Sequence, residues 1–136
     1  MGFEKFGRKS YTAQTKVAEF VDRLAGGEIC ATRCVSCGRI YFPPRADCAG
    51  CLGSGMEWVR IPERGRLVSF TRVQYAPAGF EADAPYILAL VDFGEVKVFG
   101  RLSSTVEEPV IKVGLEVKTV VLTTPDGQLT YEFIPA

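Results

Sequence analysis

Near the start of the chain, apolar side chains recur at the three- and four-residue spacing that forms one stripe of an α-helix. The stripe consists of Ala13, Val17, Phe20, Val21 and Leu24. Ser10 or Thr12 can cap the start of such a helix, and the glycine pair at 26–27 can adopt the positive φ with which many helices end. The pattern predicts a helix over 10–25 whose apolar stripe packs on this protein's own core or on a partner chain.

Beyond Pro62 the pattern changes to runs of apolar and β-branched residues separated by turn signals. These runs predict five strands, at 66–75, 86–93, 96–102, 115–122 and 129–134. Gly94 and the Pro-Asp-Gly sequence at 125–127 supply turns between consecutive strands. Five antiparallel strands in about 70 residues suit a small closed barrel better than a sandwich, and the five-stranded OB-fold is the natural candidate. We therefore expect a mainly β protein.

Between the predicted helix and the predicted barrel, residues 28–60 carry cysteines, glycines and prolines without a helical period. Four cysteines form two Cys-x-x-Cys pairs, Cys34/Cys37 and Cys48/Cys51, and Gly38 directly follows the first pair. A two-residue spacer lets both sulfurs of a pair face one ion, so four thiolates predict a tetrahedral, structural Zn²⁺ site with no open position. Iron in the same cage is the alternative metal, and a redox dithiol is the alternative role for either pair.

The fifth cysteine, Cys30, lies outside this spacing, and we expect it to be a buried small apolar residue. Basic residues cluster near the other four cysteines, where they can offset the net negative charge of four thiolates around a dication. These residues are Arg33, Arg39 and Arg45. They contribute to an uneven charge distribution, because residues 1–66 carry a net charge of +4 and residues 67–136 a net charge of −4.

The composition narrows the function classes further. The chain has 136 residues, of which 47% are hydrophobic and 24% charged, as in ordinary soluble single domains. It contains no histidine, which excludes Ser-His-Asp triads, Cys-His dyads and Cys2His2 zinc sites. No run approaches the ~18 apolar residues of a membrane-spanning helix, and the first ten residues lack the apolar core of a signal peptide. We therefore expect a cytoplasmic protein with no membrane contact.

Several of these motifs together resemble the DUF35 family. The shared features are the helix that ends in glycines, R-C-x-x-C-G at 33–38, Y-F-P-P-R at 41–45, C-x-x-C at 48–51 and G-R-L-V-S-F-T at 65–71. The resemblance covers essentially the whole chain. It implies an N-terminal α-helix, a rubredoxin-like zinc ribbon and a C-terminal five-stranded OB-fold barrel. The expected division is a helical segment at 1–27, the ribbon at 28–61 and the OB-fold at 62–136.

The resemblance also implies a role in acyl-coenzyme A metabolism. Members of the family commonly occur as small subunits bound to thiolases or thiolase-like aldolases, and some are thought to bind acyl-CoA. The expected function is a non-catalytic accessory subunit that contributes to acyl-CoA binding and to the stability of a thiolase-type large subunit, with aromatic acyl-CoA degradation as one candidate pathway. Catalysis would then belong to the partner, which is consistent with the absence of histidine from this chain.

Candidate acyl-CoA contacts follow from the chemistry of coenzyme A, whose phosphates and adenine favour arginines beside aromatic or apolar walls. One group combines arginines with nearby aromatic residues, and a second group consists of aromatic residues that could line an acyl tunnel. The first comprises Tyr41, Phe42, Arg45, Arg64 and Arg66, and the second includes Phe80 and Tyr86. The simpler interpretation is that the arginines balance the thiolates or solvate the surface and that the aromatic residues belong to the core.

Two other functions use the same sequence features. A single-stranded nucleic-acid binder can combine an OB-fold with a zinc ribbon, because the OB-fold stacks bases on aromatic side chains. The net charge of −4 on the predicted barrel half counts against this alternative. An assembly factor that stabilises its partner without touching substrate shares nearly every feature with the favoured function, and only binding data separate the two.

Overall fold

The computed structural model describes residues 2–7 and 15–136. Within these residues, three single turns of 3-10 helix lie at Phe3–Lys5, Glu81–Asp83 and Glu108–Val110. The helix and strands of the described residues are α1 (Glu19–Ala25), β1 (Cys30–Cys34), β2 (Ile40–Tyr41), β3 (Met56–Arg60), β4 (Arg64–Val73), β5 (Tyr86–Asp92), β6 (Lys97–Leu102), β7 (Glu116–Thr123) and β8 (Leu129–Pro135). The predicted mainly β class is confirmed.

The helix is shorter than the pattern predicts. It begins at Glu19, and the residues just before it form a turn with hydrogen bonds between residues three apart, from Phe20 N–H to Val17 O (3.0 Å) and from Val21 N–H to Ala18 O (3.0 Å). The predicted caps and the first apolar position, at 10, 12 and 13, lie outside the described residues. The helix ends at the predicted glycines, with Gly27 at φ +87°.

The apolar stripe of α1 packs on this protein's own core, as one of the two interpretations of the sequence predicts. Phe20, Val21 and Leu24 are buried, and they join the same apolar cluster as the interior of the barrel. Burial of these three side chains explains how a helix of seven residues persists, since an isolated helix of this length is unstable in water.

Strands β1, β2 and β3 form a small antiparallel sheet with the order β2-β1-β3. The central strand, β1, pairs with Ile40 and Tyr41 on one side and with the full length of β3 on the other. Its residues Cys30, Ala31 and Cys34 are each at most 1% exposed, because α1 lies against one side of this sheet. Cys34 therefore ends a buried strand.

Strands β4 to β8 form the closed barrel, with the order β4-β5-β6-β8-β7. All neighbouring pairs are antiparallel except β6 and β8, whose parallel register joins Arg101 to Glu132 and Leu102 to Phe133. This is the topology of the five-stranded OB-fold, and the five predicted strands agree with the observed bounds to within two residues. Among the described residues, no helix is long and apolar enough to cross a membrane.

The barrel interior is filled by side chains that alternate along each strand. The innermost are Leu67, Val91, Val98, Val117 and Phe133. Gly65 lets β4 cross this interior closely, because a Cβ there would lie 2.7 Å from Val91 Cγ1 and 2.8 Å from Asp92 O. A bulge between Leu67 and Ser69 then changes the register of β4 against β5. The strand consequently bends, and its second half projects beyond the part that faces β7.

Candidate metal centre and barrel cleft

The two Cys-x-x-Cys pairs occupy two turns with the same backbone hydrogen bond. Gly38 N–H donates to Cys34 O (2.9 Å), and Leu52 N–H donates to Cys48 O (2.9 Å). The residue after each pair has a positive φ, +81° at Gly38 and +63° at Leu52. Each turn therefore curls its backbone N–H groups around its own two sulfurs, which is the geometry that stabilises bound thiolates.

The turns bring all four cysteine sulfurs together. The Sγ atoms of Cys34, Cys37, Cys48 and Cys51 lie within 4.8 Å of one another, and the Cys34–Cys51 and Cys37–Cys48 separations are each 3.4 Å. Four sulfurs at about 2.3 Å from a central Zn²⁺ would be about 3.8 Å apart, so the observed spacing fits a tetrahedral ion. The four residues predicted from the sequence thus form one cluster that could hold a metal ion.

Hydrogen bonds divide the four thiols into two kinds. The Tyr41 hydroxyl, 3.3 Å from Cys48 Sγ, lowers the pKa of Cys48 to about 6, assisted by the backbone N–H of Cys51. The pKa of Cys34 is also lowered, mainly by the backbone N–H of Cys37. The pKa of Cys51 is raised to about 11, because the neighbouring sulfurs outweigh the N–H of Gly53. A divalent cation would need to deprotonate only part of the set on binding.

Tyr41 and Arg45 are positioned by this centre rather than by the barrel. The Tyr41 hydroxyl accepts a hydrogen bond from Ala49 N–H (3.1 Å), and the Arg45 guanidinium lies 5.4 Å from the centre of the Tyr41 ring. Thr32, buried on β1, exchanges two 2.9 Å hydrogen bonds with the backbone of Arg45. Nothing in the sequence pattern singles out Thr32, because the contact joins residues 13 apart through the fold.

The other arginines and the fifth cysteine lie around the same sheet. Arg33 forms an ion pair with Glu57 (2.6 Å), while the Arg39 side chain covers Gly50, within the second cysteine turn. Cys30 is fully buried, as predicted, and its Sγ lies 4.0 Å from Arg23 Nη1. Burial raises the pKa of the Cys30 thiol, so it remains a neutral packing group.

A second candidate site is a cleft of about 820 Å³ at one end of the barrel. Phe80 and Tyr86 line it, and the Arg101 guanidinium lies 6.0 Å and 4.2 Å from the centres of their rings. Arg101 also pairs with Asp83 (3.3 Å). Burial raises the pKa of the Glu132 carboxyl, although the positive charge of Arg101 lowers it. This group of cleft residues combines aromatic walls with paired charges.

The remaining predicted acyl-CoA residues lie elsewhere. Phe42 packs its ring edge-on against Phe20 (5.9 Å) and Tyr131 (5.8 Å). Arg64 pairs with Glu116 (2.9 Å), and Arg66 Nη1 donates to the carbonyl of Gly114 (3.3 Å). The structure therefore brings only Phe80 and Tyr86 of the seven predicted residues into the cleft. It adds five charged residues that the sequence pattern did not indicate, Arg72, Asp83, Arg101, Glu108 and Glu132.

Comparisons with known proteins agree with both parts of the fold. Residues 22–57 match a family model described as the rubredoxin-like zinc ribbon domain of ChsH2, and residues 58–122 match that of its C-terminal OB-fold domain. A solved structure described as the Ltp2-ChsH2(DUF35) aldolase has a TM-score of 0.75 and 21% identity, over 92% of this chain and 98% of that chain. At this identity the similarity shows the fold alone.

Two relatives carry names that bear on the family. A DUF35 domain-containing scaffold protein of Methanocaldococcus jannaschii is 30% identical over 107 residues, 74% of this chain and 75% of the relative. The benzoylsuccinyl-CoA thiolase subunit BbsA of Thauera aromatica is 34% identical over 71 residues, 52% of this chain and 48% of that subunit. Together with the matched ribbon and barrel models, these similarities show that the chain belongs to the DUF35 family.

Proposed function

We propose that this chain is a non-catalytic accessory subunit of a thiolase or thiolase-like enzyme that forms or cleaves carbon–carbon bonds in acyl-CoA. The observation that carries the proposal is its similarity to proteins named as a scaffold and as a thiolase subunit. The chemistry of the chain supports it. Histidine is absent, and the four clustered cysteines leave no open position on a tetrahedral metal. The large partner would supply the catalytic residues.

We also propose that the metal is zinc and that its role is structural. The sulfur-only ligand set and the tetrahedral spacing suit Zn²⁺, with iron as the alternative. Bound zinc would join the turn that follows β1 to the turn at Cys48–Cys51, with the short strand β2 between them. It would thereby hold the small sheet together, in a part of the chain whose two-residue strand β2 provides little stability of its own.

The barrel cleft is the site at which this subunit would contact acyl-CoA. Its volume of about 820 Å³ lies within the range of small-molecule sites, and Phe80 and Tyr86 provide apolar walls. The two arginines that line it are already paired, Arg101 with Asp83 and Arg72 with Glu108. Such a cleft suits the uncharged arm or acyl group better than the phosphates. The acyl-CoA contacts predicted at Arg64 and Arg66 lie outside the cleft, where Arg64 already pairs with Glu116, and they stay predictions.

The accessory role predicts that the thiolase-type partner chain is poorly active alone. We expect co-expression of the two chains to yield a stable complex. We expect its thiolysis rate to be at least tenfold higher than that of the large chain alone, because the small subunit stabilises the partner and completes its substrate channel. The assay would compare thioester cleavage by the two preparations at equal concentrations of large chain. Full activity of the large chain alone would contradict the proposal.

Acyl-CoA binding predicts a thermal shift that depends on the cleft. Acetyl-CoA or an aromatic acyl-CoA at about 100 times Kd should stabilise the metal-loaded protein by about 2.7 kcal/mol, seen as a higher Tm. Tyr86→Ala should remove most of this shift, whereas Tyr75→Ala, at an almost fully exposed position outside the cleft, should not. A shift that persists in Tyr86→Ala would place the ligand elsewhere. Salt-sensitive binding of an oligonucleotide instead would favour the nucleic-acid alternative.

A further inference from the structure

Strand β4 has an unpaired edge along its second half. On one side it pairs with β5 from Arg66 to Val73. On the other side it pairs with β7 only from Arg64 to Arg66, after which the backbone of Leu67 hydrogen-bonds to residues 114 and 115. Among the strands that the structure describes, none pairs with residues 68–73 on that side. Their outward backbone groups are therefore available to an added strand.

In this half of β4, the side chains on both faces of the strand are exposed. A barrel strand normally alternates between buried and exposed side chains, but residues 68–72 are all exposed. Val68 and the 42% exposed Phe70 lie here on β4. Val110 and the 67% exposed Val113 belong to the segment that runs beside it. We call these four residues the edge patch.

Contacts at both ends hold the two halves of the edge patch side by side. At one end, Gly114 N–H donates to Leu67 O (2.8 Å), which places Val113 next to Val68. At the other end, Arg72 forms an ion pair with Glu108, which brings the short 3-10 turn that contains Val110 towards the end of β4. The four residues of the edge patch therefore flank the free strand edge.

At the end of the edge patch near Gly114, the charge without an ion pair is positive. Arg66 donates one hydrogen bond to a backbone carbonyl, and no carboxylate among the described residues lies within 4.0 Å of its guanidinium or of the Lys112 ammonium. Arg72, at the far end, is neutralised by Glu108. This local positive charge stands out because residues 67–136 carry a net charge of −4. It favours a partner surface that presents carboxylates at that end.

We propose that an extended segment of the thiolase-type large subunit docks along this edge, adding a strand to β4. Free backbone donors and acceptors in a row recognise another extended backbone, the apolar side chains of the segment cover the edge patch, and an acidic residue meets Arg66 and Lys112. The inference rests on the proposed function for the identity of the partner. It goes beyond that function by naming the surface and the chemistry of the segment bound there.

The test compares two double variants in complexes with the co-expressed large chain. Phe70→Ser with Val113→Ser removes half of the edge patch. Phe99→Ser with Val35→Ser is the matched control, because these side chains are 58% and 61% exposed but lie on β6 and on the first cysteine turn. We expect the first pair to raise Kd at least tenfold, as buried aromatic anchors do, and the control to change Kd less than threefold. Metal content and circular dichroism verify the fold of both.

Two further measurements do not depend on removing apolar side chains. Binding to the wild-type chain should slow amide hydrogen exchange in residues 68–73, and Arg66→Glu with Lys112→Glu should weaken binding most at low salt. Unchanged exchange in 68–73, or equal affinity of the edge-patch variant and the wild type, would overturn the docking surface while leaving the accessory role intact. A dimer of this chain formed through the edge patch would overturn it as well. If the wild-type chain formed no complex with the large chain, both proposals would be overturned.

Discussion

Replacing Cys48 by alanine is expected to abolish stoichiometric metal binding and to unfold the β1–β3 sheet. Its sulfur lies among the other three within 4.8 Å, and it is the thiol whose pKa is lowered most, to about 6, by the Tyr41 hydroxyl. Structural zinc binding in small domains contributes folding free energy of about 10 kcal/mol or more, so three sulfurs cannot replace four at little cost. Elemental analysis should find about one metal per wild-type chain and almost none in the variant.

Cys30→Ala is the matched control for this experiment. Cys30 is as buried as Cys48, but its sulfur contacts Arg23 and does not belong to the cluster. We expect this variant to retain one metal per chain and to lose only about 1–2 kcal/mol, the scale of a small deletion in the core. Retention of a full equivalent of metal by Cys48→Ala would contradict the four-sulfur site. Metal loss in Cys30→Ala would show that packing, and not ligation, governs metal content.

The four-cysteine cluster could be predicted because it is encoded locally. Each Cys-x-x-Cys pair lies within one turn, and Gly38 supplies the positive φ that closes the first turn. The fold then needs only to bring two such turns together. The strands were predictable for a similar reason, since alternation and turn residues act over a few positions. Leu52, a non-glycine residue at φ +63°, is the local feature of the second turn that the pattern did not indicate.

The cleft could not be predicted in the same way, because long-range pairing assembles it. Arg101 reaches Tyr86 only because β5 and β6 pair in one register, in which Leu88 lies opposite Arg101. The parallel pairing of β6 with β8 then sets Glu132 beside Arg101. Conversely, residues that are close in the sequence can contact different parts of the fold. Arg45 and Phe42 are near neighbours in the chain, yet one stacks on Tyr41 beside the cysteines and the other faces the barrel.

Phe42 shows how the separate parts of the chain are coupled. It directly follows β2, and its ring packs between Phe20 of α1 and Tyr131 of β8. Phe20 in turn stacks on Phe3 (5.8 Å) and meets Phe6 edge-on (5.6 Å). These five aromatic rings join the helix, the cysteine-bearing sheet and the barrel. Edge-on and offset ring pairs contribute about 0.5–1.5 kcal/mol each beyond the area they bury.

Phe20→Ala is therefore expected to destabilise the whole protein by about 3–5 kcal/mol, the cost of truncating a buried phenylalanine. Phe20 is 2% exposed and contacts three of the other rings, so the cavity would lie where α1, the sheet and the barrel meet. Thermal unfolding of the metal-loaded protein should show a Tm lower by about 10 °C or more. Phe99→Ala, at an exposed aromatic position on β6, should leave Tm within about 2 °C, since surface changes rarely exceed 0.5 kcal/mol. If Phe20→Ala lowered Tm as little as Phe99→Ala, the aromatic cluster would not couple the three parts. The barrel would then be stable without the helix packed on it.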